Sequence, residues 1–170
     1  LLMKLDNKLF KNLKKKNVNF ITIDGITCSG KSLFAELLKK NLKSYYREVY
    51  ILSKDLFLYP RTKRIKISKN INRSKFNQNN LHYDIKKLKI FINFLIGKSK
   101  LKTFKMSNLY NRKSGKNDRT IRIKFLKNRL IIFEGIYVNQ DISFLKKSTL
   151  KILLIEKVYE SLSRKIQRIR

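Results

Sequence analysis

Four short apolar runs along the chain predict buried strands. They cover residues 18–23, 47–53, 129–138 and 150–156. Each run is shorter than a typical helix, and the third is a continuous apolar stretch that ends in an acid, which is typical of a strand buried on both faces. Because segments with helical spacing lie between these strands, the pattern indicates an α/β fold with a parallel sheet.

Helical spacing is clearest in two segments. After the first strand, Leu33, Leu37, Leu38 and Leu42 fall on one predicted helical face, and a second pattern covers 84–96 before Gly97. A basic segment after the last strand is predicted to be a further helix that continues to the end of the chain.

The segments outside these patterns are read differently. Pro60 marks a loop that leads into a basic, Asn-rich stretch, where His82, the only histidine, is expected to be solvated. Residues 98–120 predict an irregular or short-stranded insertion. Residues 1–17 predict a basic amphipathic helix in front of a single domain over residues 18–170. The chain opens on Leu1 with Met at position 3, as expected of a fragment or a non-standard start.

Charge changes this picture less than its size suggests. The 170 residues include 42 Lys and Arg against 11 Asp and Glu, a net charge of +31. Such a charge can bind nucleic acid, but the basic residues are spread over the whole chain together with Asn and Ile, which favours a general compositional bias. No apolar run approaches the roughly 20 residues of a membrane span. A single cysteine excludes an internal disulfide and fits a cytoplasmic location.

The turn after the first strand carries the strongest chemical signal. Its residues follow the spacing G-x-x-x-x-G-K-S of a phosphate-binding P-loop, and they are Gly25, Ile26, Thr27, Cys28, Ser29, Gly30, Lys31 and Ser32. The backbone N–H groups of such a loop converge on phosphate oxygens, Lys31 would reach the β- and γ-phosphates, and the Ser32 hydroxyl would coordinate Mg²⁺. The strand and helix on either side supply the context that this motif requires. We therefore predict ATP and Mg²⁺ as cofactors.

Two carboxylates are expected at the same edge of the sheet as this loop. Glu134 ends the third strand and Asp55 follows the second, and ligands of parallel α/β sheets gather at the carboxyl ends of the strands. Glu134 is predicted to bind Mg²⁺ directly or through water. Asp55 is predicted to accept a proton, although an Asp after a strand is also a common turn residue.

The ordered segments "GITCSGKS", "ILSKDLF", "LIIFEGI" and "LSRKIQR" resemble the uridine kinase and phosphoribulokinase-like family of P-loop kinases. The resemblance covers about residues 18–170. It implies a three-layer P-loop sandwich, and transfer of the γ-phosphoryl group of ATP to a hydroxyl of a nucleoside or similar small acceptor. It also implies roles for these residues: Lys31 and Ser32 on phosphate and metal, Glu134 near the metal, Asp55 as base, and Arg164 and Arg168 as lid arginines.

Departures from the family pattern fall mainly on the acceptor side. Tyr59, Tyr110 and Arg112 are candidates for acceptor binding, but Asn111 replaces the family's Asp and the nearby histidine is absent, with Ser114 and Gly115 in that region. ATP binding is therefore better supported than uridine as the acceptor.

Two alternatives stay open. The loop also resembles that of cytidylate kinase, a nucleoside monophosphate kinase, and a non-catalytic basic P-loop protein could bind nucleic acid. Because the chain stops at Arg170, inside the lid helix of the family, the sheet is expected to lack its last strand and the lid to be partial.

Overall fold

The computed structural model describes residues 18–70, 81–95, 103–124, 128–140 and 150–167. The predicted N-terminal helix over 1–17 lies outside these residues. The chain divides into two compact units. The first unit comprises Leu1–Leu52 and Leu126–Arg170, and the second, Ser53–Phe125, is inserted into it.

Strands and helices alternate along most of the chain. In order they are β1 (Phe20–Gly25), α1 (Lys31–Leu42), β2 (Glu48–Ser53), α2 (Arg61–Asn70), α3 (Ile85–Leu95), β3 (Thr103–Leu109), β4 (Arg119–Lys124), β5 (Arg129–Gly135), β6 (Leu150–Leu154) and α4 (Val158–Gln167). Short 3-10 helices cover Lys54–Phe57 and Val138–Gln140. No helix among the described residues is long and apolar enough to cross a membrane.

The first unit is built on a four-stranded sheet with the strand order β2-β5-β1-β6. β1 lies inside the sheet and pairs in parallel with β5 on one side and β6 on the other. Every residue of β1 is buried, as are the last six residues of β5, which explains why both strands are nearly continuous apolar runs. The predicted α/β class with a parallel sheet is confirmed.

The apolar face of α1 differs from the one that the sequence predicts. Phe34, Ala35, Leu38 and Leu42 are buried against the sheet, whereas Leu33 is 78% exposed. The predicted face was wrong at Leu33 because four leucines suggested a stripe that ignored Phe34. Spacing by three and four from Phe34 gives the stripe that packs on Ile21, Ile23, Leu130 and Ile132 of β1 and β5.

The second unit contains a helix that the sequence pattern does not reveal. α2 forms where we expected a loop and a basic stretch, and it has no buried residue. Helices are recognised from sequence mainly by an apolar stripe, so a helix without one gives little signal. Pro60 stands directly before the first residue of α2, and its carbonyl accepts the first helical hydrogen bond, from Arg64 N–H at 3.0 Å.

The core of the second unit is aromatic. α3 buries Leu88, Phe91, Ile92, Phe94 and Leu95, close to the predicted spacing. The ring of Phe91 lies 5.1 Å from that of Phe57 and 5.7 Å from that of Phe104, and Phe94 stacks on Phe104 at 4.4 Å between ring centroids. Phe104 comes from the antiparallel β3–β4 hairpin, which realises the predicted short-stranded insertion.

Replacing Phe91 by alanine should destabilise the protein by about 3–5 kcal/mol, because the ring is fully buried between two other rings. Its neighbour Ile90 is 56% exposed, and Ile90→Ala should change the free energy of unfolding by about 0.5 kcal/mol or less. Urea denaturation followed by circular dichroism measures both variants. Equal losses would contradict this assignment of the core.

Candidate active site

The P-loop begins at the last residue of β1 and ends where α1 begins. Its backbone uses positive φ angles at Gly25 (152°), Cys28 (60°) and Gly30 (84°). Phe34 N–H donates to the Gly30 carbonyl at 2.9 Å, so the helical hydrogen bonds start inside the loop. The strand, loop and helix that the sequence predicts are all present, and the loop lies at the N-terminus of α1, where backbone N–H groups favour an anion.

Two glycines of the loop are required for different reasons. A Cβ added at Gly25 would lie 2.8 Å from the carbonyl oxygen of Leu154 in β6 and 2.8 Å from Ser29 Oγ. A Cβ at Gly30 would meet no atom within 4 Å, so at that position only the positive φ angle selects glycine. The close approach of the loop to β6 therefore fixes Gly25.

The side chain of Lys31 folds back against the start of the P-loop. Its ammonium group donates to the carbonyls of Gly25 at 3.0 Å and Ile26 at 2.6 Å, and the residue is only 8% exposed. Loop carbonyls thus hold the charge at the N-terminus of α1. A lysine at this point can contact the phosphates of a nucleotide bound by the loop.

Ser32 and Glu134 come together as the sequence predicts for a metal pair. Ser32 Oγ donates to Glu134 Oε1 at 3.4 Å, across 102 positions of the chain. Glu134 is the sixth residue of β5 and is 7% exposed. A hydroxyl and a carboxylate are oxygen ligands of the kind that Mg²⁺ prefers, and Mg²⁺ in such sites takes its remaining ligands from water and nucleotide phosphates. The residues present therefore fit this ion.

Asp24 is a second acid beside Glu134 at this end of the sheet, and the sequence analysis did not single it out. Its Oδ1 accepts hydrogen bonds from the backbone N–H groups of Gly25 at 2.7 Å and Tyr137 at 2.8 Å, and its Oδ2 accepts from Asn139 N–H at 3.0 Å. The carboxylate joins the start of the P-loop to the turn after β5. The signal was an acid at the end of an otherwise apolar strand, the same signal that identified Glu134.

Helix α4 also contacts the loop. The buried Ser161 donates to the Thr27 carbonyl, and Arg164 Nη1 lies 3.5 Å from the Cys28 carbonyl. The Arg164 guanidinium forms ion pairs with Glu156 and, at 3.9 Å, with Glu160. The structure thus brings one predicted lid arginine to the P-loop, while Arg168 lies outside the described residues. Ser161 gave no signal in the sequence.

Asp55 belongs to the second unit, in the 3-10 helix Lys54–Phe57. The backbone N–H of Asp55 donates to Ser53 Oγ at 3.2 Å, which caps this short helix. Within the described part of the chain, no hydrogen bond or ion pair involves the half-buried carboxylate. Its role as a proton acceptor stays a prediction.

The acceptor-side candidates of the second unit are connected through Arg64. Arg64 Nη2 donates to the hydroxyl of the buried Tyr110 at 2.7 Å, and Arg64 Nε donates to the Tyr59 carbonyl at 3.0 Å. Arg112 is exposed and lies in the turn between β3 and β4. The sequence analysis named both tyrosines but not Arg64, because α2 was not recognised as a helix.

Asn111 organises that turn. Its side-chain oxygen accepts from Lys113 N–H at 3.0 Å, and its carbonyl accepts from Gly115 N–H at 2.8 Å. Hydrogen bonds from Ser114 and Asn111 lower the pKa of Asp118. The residue that departs from the family pattern thus has a structural role here.

A parallel sheet with a G-x-x-x-x-G-K-S loop between its inner strand and a helix, and a Ser–Glu pair beside the loop, defines a P-loop nucleotide-binding fold. Solved structures share this fold. The structure is similar to that of a "possible uridine kinase" from Bacillus stearothermophilus, with a TM-score of 0.67 and 17% identity over 95% of this chain and 89% of that chain.

A second solved structure is a "putative fructose transport system kinase" from Silicibacter sp. TM1040, with a TM-score of 0.65 and 15% identity over 93% of this chain and 80% of that one. No family model matches the sequence. No curated protein matches it either. The resemblance to uridine kinase-like proteins is thus confirmed at the level of fold.

Gly25→Ala should lower the free energy of unfolding more than Gly30→Ala. Both changes impose strain of about 1–3 kcal/mol at a positive φ angle, and only Gly25→Ala also places a Cβ against the backbone of β6. Urea denaturation of the two variants measures the difference. A larger loss in Gly30→Ala would show that the loop does not approach β6 as described.

Acid should weaken the β3–β4 turn through Asp118. Because hydrogen bonds from Ser114 and Asn111 hold its folded pKa below the unfolded value near 4, the stabilisation is present above that value and is lost as the pH falls through the folded pKa. NMR titration of the carboxyl carbon should show a midpoint below that of an unfolded peptide. Ser114→Ala should move it upward, and an unchanged midpoint would contradict the contact.

Proposed function

We propose that the protein is an ATP- and Mg²⁺-dependent small-molecule kinase of the uridine kinase-like type. It would transfer the γ-phosphoryl group to a hydroxyl of a nucleoside or similar small acceptor. The observation that carries the proposal is the P-loop with Lys31 at its end and the Ser32–Glu134 pair beside it, in a chain with the fold of P-loop kinases. The likeness in fold supports phosphoryl transfer and leaves the acceptor to experiment.

Each residue would have a limited task, because phosphoryl transfer depends mainly on positioning and charge stabilisation. The loop N–H groups and Lys31 would hold the nucleotide phosphates. Ser32 and Glu134 would hold Mg²⁺, which neutralises charge that develops on the phosphate oxygens when it is bound. Their 3.4 Å separation supports a shared role.

On the acceptor side, Asp55 would accept the proton of the acceptor hydroxyl as its oxygen forms the new bond to phosphorus and ADP leaves. Its carboxylate has no hydrogen bond within the described residues, which supports this role. Tyr59, Tyr110 and Arg112 would contribute to acceptor binding.

Arg164 would stabilise charge on the transferred group. Its position beside the Cys28 carbonyl supports this role, although two carboxylates now share its charge. Arg168 is proposed as a second such arginine from the sequence alone. A cytoplasmic location, proposed from the single cysteine, fits a nucleotide-dependent enzyme.

Release of ADP tests the proposal directly. The purified chain is incubated with Mg²⁺-ATP and a panel of nucleosides, nucleoside monophosphates and small alcohols, and the products are identified by mass. Asp55→Asn should lower kcat by about 10²–10⁴, the usual contribution of a general base. Glu36→Gln, an exposed carboxylate of α1 changed in the same way, should leave the rate unchanged.

Omission of Mg²⁺ and, separately, Lys31→Ala should each abolish turnover. ADP release that is unaffected by Asp55→Asn would reject Asp55 as the base. No phosphorylated product on any acceptor would reject the kinase. Salt-dependent RNA binding that survives Lys31→Ala would then favour the nucleic-acid alternative, because counterion release does not need the P-loop.

A further inference from the structure

A cationic cavity in the second unit has no part in the roles assigned above. It has a volume of about 350 Å³ and is lined by Arg61, Arg64, Ile65, Ser68, Lys69 and His82. The volume lies at the lower end of the range for small-molecule sites. Three of the lining side chains carry a fixed positive charge, and none is a carboxylate.

Arg64 is held in place by neutral groups. Its Nε donates to the Tyr59 carbonyl and its Nη2 to the Tyr110 hydroxyl, and its guanidinium carbon lies 4.8 Å from the centre of the Tyr110 ring. These contacts fix the side chain without neutralising it, and Nη1 has no partner among the described residues. A guanidinium that is already oriented loses little entropy when it binds an oxyanion with its remaining N–H groups.

The charge around the cavity is not compensated locally. Within the described residues, no carboxylate forms an ion pair with Arg61, Arg64 or Lys69. Helix α2 carries five lysines and arginines and no acid. Like charges three or four positions apart weaken a helix, and α2 has no buried face that would offset this repulsion. An anion in the cavity would relieve it.

Arg61 is positioned by the turn after β3. Its backbone N–H donates to the Gly115 carbonyl at 3.0 Å, and a Cβ added at Gly115 would lie 3.6 Å from Arg61 Nε and 3.7 Å from Arg61 Cζ. The side chain therefore lies against a glycine that leaves room for it. Both arginines of the cavity are thus located by β3 or the residues that follow it.

His82 also lines the cavity. Its Nδ1 atom is buried and has no hydrogen-bond partner within the described residues, so the expectation of a solvated histidine was wrong for this atom. A buried polar atom left unpaired is destabilising.

We propose that this cavity binds an oxyanion group of the phosphoryl acceptor, a phosphate monoester or a carboxylate. The inference rests on the proposed function and narrows its substrate class from neutral nucleosides to alcohols that carry a negative charge. Arg64 and Arg61 bind the oxygens of the anion, Lys69 adds charge, and His82 lines the same cavity. Asp55 and Arg64 are nine positions apart, so one short segment would serve both the hydroxyl and the anion of the acceptor.

His82 makes the test specific to this cavity, because it is the only histidine of the chain. Its imidazole resonances are followed by NMR while inorganic phosphate is added at constant pH and constant ionic strength, with chloride as the compensating salt. We expect a saturable shift with phosphate and none with chloride alone. A shift that persists in Lys31→Ala excludes binding of phosphate by the P-loop as its cause.

Arg64→Gln and Arg61→Gln should each weaken the phosphate-dependent shift by about tenfold or more, the expected loss of one charge-assisted hydrogen bond. Lys66→Gln removes the same charge from α2 outside the cavity lining and should have little effect. If Arg64→Gln does not fold because it loses its contacts with Tyr59 and Tyr110, Arg61→Gln alone tests the proposal.

Equal weakening of the phosphate-dependent shift in all three variants, or no saturable shift, overturns the proposal. Acetate that binds as tightly as phosphate would identify the anionic group as a carboxylate. Acetate that binds more weakly would identify it as a phosphate.

Kinetics separate this inference from the proposed function. With an anionic acceptor from the panel, Arg61→Gln should raise KM at least tenfold with a smaller change in kcat, and Lys66→Gln should not. Efficient turnover of a neutral nucleoside, with KM unchanged in Arg61→Gln, overturns the anionic acceptor and keeps the kinase. A saturable His82 shift with no turnover on any acceptor supports the oxyanion site and rejects the kinase.

Discussion

The P-loop depends on a single buried carboxylate. Asp24 accepts hydrogen bonds from the backbone N–H groups of Gly25, Tyr137 and Asn139. It thereby joins the end of β1 to the turn that follows β5. Hydrogen bonds to a charged acceptor in a buried place are among the stronger ones in proteins. Because Asp24 directly precedes Gly25, the first residue of the loop, these hydrogen bonds set the direction in which the loop leaves the sheet. The proximity of β6 then excludes any side chain at Gly25. The positions of Lys31 and Ser32 follow from it.

Acids are scarce in this chain, and three of those in the first unit lie around the P-loop. Asp24 binds backbone, Glu134 contacts Ser32, and Glu156 pairs with Arg164 beside the Cys28 carbonyl. Asp24 and Glu134 are buried and Glu156 is half-buried. Each lies at the carboxyl end of a strand or just beyond it. Three carboxylates therefore lie around the P-loop, whereas α2 has no acid.

The second unit uses a different kind of support. Its core is a group of phenylalanines from α3, β3 and the short helix Lys54–Phe57, and two of its cations, Arg64 and Lys87, donate to backbone carbonyls. Such contacts hold arginines without cancelling their charge, as the contacts of Arg64 with Tyr59 and Tyr110 illustrate. Cations held in place by neutral groups are suited to binding an anion.

The sequence by itself determined the parallel sheet, the P-loop and the acid at the end of β5, because each leaves a local pattern: an apolar run, a fixed glycine spacing, or a charge where the run ends. It could not reveal α2, which has no apolar stripe, or the buried stripe of α1, where Phe34 rather than Leu33 faces the sheet. Only the tertiary structure brought Ser32 to Glu134, tied Asp24 to Tyr137 and placed Ser161 against Thr27. Those contacts join residues more than 100 positions apart, and their partners are chosen by how the strands pair, which no local spacing in the sequence records.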